Sequence, residues 1–152
     1  MAIVTVKTPD DFAAKVAKLG EMTDAIVEKA LEAGGEIALA QVRANLSGAI
    51  GRGEYSRPTG ELVSSLGISP VKVNNQGNYD IKIGFNEPRR KQTQAKGKRS
   101  YKVATNAMVA NVLEYGRHNQ PARPFLAPAK SASKIAAIAA MSAVVQEAVD
   151  SL

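Results

Sequence analysis

The sequence has 152 residues, is 45% hydrophobic and 22% charged, and carries a formal net charge of +6 with no cysteine. That length fits one domain with a buried core, so a single domain over residues 1–152 is expected. The composition excludes a disulfide framework and cysteine chemistry; no apolar run of the ~18 residues needed for a membrane span is read, and Met1 to Pro9 lacks a secretory pattern.

The charge is concentrated. Arg89, Arg90, Lys91, Lys96, Lys98, Arg99 and Lys102 fall in one stretch, no acid lies between Glu87 and Glu114, and without those seven residues the chain sums to −1. The excess therefore belongs to one segment and not to a basic fold. With 5% aromatics and no Trp, much of the core must be Ala, Val, Ile and Leu, which favours closely packed helices.

In chain order, Ile3 to Val6 offers a short strand, and Thr8-Pro9-Asp10-Asp11 reads as a helix start of cap, first-turn proline and acids. Phe12, Val16, Leu19, Ile26, Ala30, Ala33, Ile37 and Ala40 recur at steps of three, four or seven, predicting one amphipathic helix to about Leu46. Gly34-Gly35 predicts a kink or break in it. Its opposite face carries Asp24, Glu28, Glu32 and Glu36, an acidic ridge that costs about 0.2 to 0.5 kcal/mol per like-charge pair unless cations meet it. A face screened by solvent is one reading; contact with a neighbouring subunit's basic segment is the other.

Gly48 to Gly60 predicts a loop. One or two helical turns capped by Thr59 follow, with Leu62, Val63 and Leu66 turned inward. Ile68–Val73 and Tyr79–Phe85 predict paired strands around a turn at Asn74–Asn78, with Pro70 forcing an edge position or a bulge. Residues 88–100 predict an exposed basic loop. Three readings of it compete: a solvated loop, an arm against an acidic neighbour, and an arm facing DNA in a channel. Met108, Val109, Val112 and Leu113 predict a short helix ended by Gly116. Arg117 to Pro128 must be extended. Pro128 then opens a last helix with Ala132, Ile135, Ile138, Val145 and Val149 as its apolar side. The expected fold class is α+β: a long N-terminal helix and a C-terminal helix packed on a small, mainly antiparallel sheet.

No catalytic pattern emerges. His118 is the one histidine and has no Cys or His partner; no serine sits in a nucleophile elbow, and Gly51-Arg52-Gly53 lacks a phosphate-loop setting. No enzyme, cofactor or metal is expected. Phe125 and Leu126, held between Pro124 and Pro128, predict a rigid bracket that docks the last helix and fixes the direction of Arg123.

Three phrases, in this order, resemble a family of tailed-bacteriophage minor tail, tail-completion and head-tail joining proteins. They are Thr59, Gly60, Leu62 and Ser65; Glu114, Tyr115 and Gly116; and Pro121, Arg123, Pro124, Phe125, Leu126, Pro128 and Ala129. The basic stretch is an insertion relative to that pattern. The resemblance implies a structural virion protein, made in the host cytoplasm and placed in the tail or neck. It also implies a homo-oligomeric ring, six-fold, stacked on other neck and tail proteins, with nonspecific contact to DNA in the channel open and no membrane. Asp24, Glu28, Glu32 and Glu36 would face Arg89, Arg90, Lys91, Lys96, Lys98 and Arg99 across the subunit contact. Glu114, Tyr115, Gly116, Arg123, Pro124, Phe125 and Leu126 would form a clamp. The alternative is a basic nucleic-acid-binding module, which a salt-dependent shift of nonspecific DNA would reveal.

Overall fold

The computed structural model describes residues 10–52, 59–86 and 105–151. The expected strand at Ile3–Val6, the Thr8-Pro9 helix start and the basic loop of residues 88–100 lie outside the described residues. The elements are α1 (Asp10–Ala49), α2 (Glu61–Ser65), β1 (Leu66–Ile68), β2 (Lys72–Val73), β3 (Tyr79–Asp80), β4 (Ile83–Phe85), α3 (Asn106–Tyr115) and α4 (Leu126–Asp150). The fold is α+β, with the long first and last helices in the most extensive contact.

Helix α1 is continuous for 40 residues, so the break expected at Gly34-Gly35 does not occur. Both glycines are buried and serve close approach instead. A Cβ at Gly34 would lie 2.8 Å from Met141 Cγ of α4, and one at Gly35 would lie 2.5 Å from Ile68 Cδ1 of β1. The helix tolerates their low propensity because α4 and the hairpin sit on the bare backbone there. The buried side begins with Ile26 and Ala30, as the periodicity predicts, and then moves to Leu39, Val42, Leu46 and Ala49; Ala40 is exposed. The helix also runs past the expected end at Leu46, taking in Gly48 and Ala49.

Gly20 is a contrasting case: it is exposed, in the interior of α1, with nothing within 4 Å of its Cβ position. Gly20→Ala should therefore add about 1 kcal/mol of helix stability. Circular dichroism should show more helix at unchanged tertiary signal.

The hairpin is split by Pro70. β1 pairs antiparallel with β4 (Leu66 opposite Phe85, Ile68 opposite Ile83) and β2 with β3 (Lys72 opposite Asp80, Val73 opposite Tyr79). Pro70 has no N–H to give to a ladder. Between the ladders the Ser69 N–H donates to the Lys82 carbonyl at 2.8 Å, and the Ser69 hydroxyl accepts from the Lys82 N–H at 3.0 Å. The Asn74 side chain accepts from the N–H groups of Gln76 and Asn78, closing the turn. In α2 the cap is Gly60, in a left-handed conformation and without a side-chain bond, so the expected Thr59 cap is not made. Leu62 is buried, Val63 only half-buried, and Leu66 is buried as the first residue of β1.

Leu46 and Phe125 are fully buried at the centre of a cluster with Leu39, Val42, Leu62 and Leu113. The Phe85 ring packs edge-on against Phe125 with centroids 6.1 Å apart, which ties β4 to the start of α4.

Helix α4 departs most from expectation. It begins at Leu126, with Pro128 inside its first turn. Its expected apolar side points to solvent: Ala132 is exposed, as are Ile135, Ile138, Val145 and Val149. Its covered side is made of Ala129, Ser133 and Ala137, continued by the half-buried Ala140, Met141 and Val144. Small residues there let the α1 backbone approach closely, and the large aliphatic residues are displaced outward. α4 is also long and apolar enough to cross a membrane by length and composition. That corrects the expectation that no such run exists; the many alanines between its larger aliphatic residues supply the hydropathy.

Candidate assembly surfaces and the turn that frames them

The last helix is held by a carboxylate. Three N–H groups at its start point to Glu114 on α3: Phe125 at 2.7 Å and Leu126 at 2.9 Å to Oε2, and Ala127 at 3.0 Å to Oε1. The next residue, Pro128, has no N–H, and the Ala129 N–H reaches the Phe125 carbonyl. Every donor that a helix start normally leaves open is thus either paired or absent. Glu114 is buried. Burial alone would raise its pKa, but the three backbone hydrogen bonds outweigh it and hold the carboxyl below the ordinary glutamate value of 4.5. The positive end of the α4 dipole acts in the same direction.

The chain between α3 and α4 is shaped to deliver that contact. Gly116 closes α3 by donating to the Val112 carbonyl at 2.9 Å. Its φ of 74° lies in the left-handed half of backbone space, and a Cβ there would come within 2.7 Å of Ala122 N and 2.9 Å of Gln120 O. Only glycine fits both demands. Arg117 and Gln120 exchange N–H···O bonds of 2.9 Å around a tight turn that carries the exposed His118. The Arg123 N–H then returns to the Leu113 carbonyl at 2.6 Å. On the other side the Phe125 carbonyl accepts from Asn45 Nδ2 of α1 at 3.3 Å, and Asn45 is itself held by Gln41.

Of the expected clamp residues, the structure brings together Glu114, Gly116, Phe125 and Leu126 with the backbone of Arg123. Tyr115 does not join them. It stands 79% exposed, with its ring in solvent where a clamp residue would be packed. Arg123 and Pro124, the other expected clamp residues, line an open cleft between the ends of α1 and α4, together with Asn45, Arg52 and Pro128.

Asp24, Glu28, Glu32 and Glu36 are all exposed along α1. Asp24 is engaged, accepting from the Tyr79 hydroxyl at 2.6 Å. That bond, with slight desolvation and the charges of Asp24 and Glu28, raises the Tyr79 pKa above 10.0. The expected basic partners, Arg89, Arg90, Lys91, Lys96, Lys98 and Arg99, lie outside the described residues. Among the described residues no group of His, Asp and Glu converges on a possible metal position.

What residue-by-residue reading missed is the outer side of α4. The signal was available, since α4 carries no charged residue between Lys134 and Glu147, too long an uncharged stretch for a helix that only faces water.

A family model matches residues 10–116, that of "Bacteriophage HK97-gp10, putative tail-component". The chain belongs to this family. The match takes in α1, α2, both ladders and α3, including the Thr59-Gly60 and Glu114-Tyr115-Gly116 phrases, and ends before Pro121. The Arg123-Pro124-Phe125 phrase, on which the resemblance leaned most heavily in the sequence, is therefore outside the matched span. Physically the two parts are joined, because Glu114 of the matched part caps the helix that follows it. No curated protein and no solved structure matches the chain. Membership in the HK97 gp10-like family makes the protein a structural tail component of a tailed phage and so a part of the virion that works with other tail proteins.

Proposed function

We propose that the chain completes the tail or joins it to the head, as a ring-forming subunit at the neck or the head-proximal end of the tail. It acts as one unit, stacked on other neck and tail proteins, in a ring expected to be six-fold. The observation that carries this reading, beside the family, is the outer side of α4. Ile135 is 82% exposed and Ile138 52%, on a helix whose start is rigidly capped. A tail component working alone in water would gain nothing from such a face, whereas a subunit of an assembly buries it. Electron microscopy of the purified protein, and of particles made without it, tests the proposal. Closed rings, and heads and tails that fail to join, are the expected results; normal joined particles lacking the protein would remove it.

Charge supplies a second contact within the same reading. The ridge of Asp24, Glu28, Glu32 and Glu36 is proposed to meet a neighbour's Arg89, Arg90, Lys91, Lys96, Lys98 and Arg99. Because Glu28 and Glu32 are exposed, Glu28→Lys with Glu32→Lys should leave the melting curve in place and block incorporation into tails. Incorporation at wild-type levels would reject this contact.

A further inference from the structure

Among the described residues two apolar stripes are left at least partly uncovered, and they are unlike each other. The first is on α4. Ile135, Ile138, Ser142, Val145 and Val149 follow one another at steps of three, four, three and four, the spacing of a helix-to-helix seam. All are exposed. This seam faces away from α1, and none of the described residues of its own subunit covers it.

The second stripe is on α1. The two long helices run antiparallel, with Gly34 against Met141 and Asn45 against Phe125. In that register the last residues of α4 come level with about Ala25. The earlier part of α1 therefore projects beyond its partner helix by about 20 Å, at 1.5 Å per residue. The side that α4 covers from Ile26 onward continues along this arm as Val16, Leu19 and Thr23, again at steps of three and four. Val16 is 52% exposed. The Thr23 hydroxyl is already satisfied by the Leu19 carbonyl at 2.8 Å, so it can enter an apolar contact without an unpaired donor.

The geometry points to the arm of one copy lying in the seam of the next: residues Val16 to Thr23 of α1, with Leu19 half-buried between the exposed Val16 and Thr23, against Ile135 to Val149 of the neighbour's α4. This inference rests on the self-association in the proposed function and names its contact. The arm's uncovered stripe spans about 10 Å of helix and the seam about 20 Å, so the stripe fits within the seam. Pairing arm with arm, or seam with seam, would leave the other stripe uncovered; pairing arm with seam covers both and propagates head to tail, as a ring requires. Charge selects the antiparallel sense. It sets Lys15, beside the arm's stripe, near Asp150 and the carbonyl end of the neighbour's α4, whereas the parallel sense would set it near Lys130 and Lys134. On α1 the acidic ridge lies on the side opposite the stripe, so both contacts can be made together.

A chain without cysteine makes the test direct. Leu19→Cys and Val145→Cys are made separately and together in the full chain, and each sample is mildly oxidised. Disulfide-linked multimers are expected from the double variant, and linked dimers from an equal mixture of the two single variants. Neither single variant alone should link. Linking of Leu19→Cys alone, or of Val145→Cys alone, would replace the inference with a two-fold contact. A wild-type protein that forms rings while none of these samples links would overturn the contact and leave the function standing. A wild-type protein that sediments as a monomer overturns the inference, and absence of a joining defect in particles separately overturns the function. Ile135→Asp is the second arm: at this exposed position folding should be unchanged and self-association weakened about tenfold or more. Unchanged self-association, or binding of the wild-type protein to neutral phospholipid vesicles in place of self-association, would count against a second copy as the occupant.

Discussion

Replacing Glu114 by alanine should cost about 2 to 4 kcal/mol, because it strips a buried charged acceptor from three N–H groups, of which that of Phe125 is buried. For a chain of this length that is a fall in melting temperature of roughly 6 to 15 °C. Glu114→Gln should lie between the two, since an amide keeps one acceptor but turns an N–H₂ toward donors. The pH dependence follows from the lowered pKa. The folded protein holds this proton less tightly than the unfolded chain, so the stabilisation is complete above the ordinary value of 4.5 and is lost as pH falls through the lower folded value. Thermal melts between pH 7 and pH 3 should show wild-type stability dropping toward that of Glu114→Gln, with the variant's own curve flatter. Parallel curves would mean that the carboxylate is not the cap's source of stability.

Phe125→Ala should be the other severe change, costing about 3 to 5 kcal/mol in urea or thermal unfolding, as expected for deleting a fully buried aromatic ring. Its ring is lost from the edge-on contact with Phe85 and from the space beside Leu46. Phe125→Leu should cost less than half as much. Because Phe125 and Glu114 hold the same first turn of α4, the double variant should lose less than the sum of the singles. Strict additivity, or a loss below 1 kcal/mol for Phe125→Ala, would show that this turn is not seated as described.

Several elements were legible because their signals are local. The Asn74–Asn78 turn, the Pro70 interruption, the short helix α3 with Gly116 at its end, and the long helix α1 all follow from backbone preferences of the residues themselves. The three phrases that suggested a phage tail protein were legible too, although their cause was not. Glu114 and Gly116 stand two residues apart because one caps the next helix and the other lets the chain turn back to it. That requirement is invisible until Phe125, Leu126 and Ala127 are seen converging on one carboxylate.

Two of the errors share one origin. A glycine pair in a helix reads as a weakness, and Gly34-Gly35 became a predicted kink; in the fold it is the place where Met141 and Ile68 press closest to α1. Large aliphatic residues read as core, and Ile135, Ile138, Val145 and Val149 were assigned inward; in the fold the alanines beside them take that place. Periodicity finds an apolar side, but on a helix with apolar residues all round it cannot choose which side meets the body. The sequence alone determined that helices α1, α3 and α4 form, that a turn falls at Asn74–Asn78 and that α3 ends at Gly116, and that one long helix carries an acidic ridge. Only the tertiary structure decided which side of α4 packs, since that depends on how near two backbones can come, and so it alone revealed the bare seam and the projecting arm.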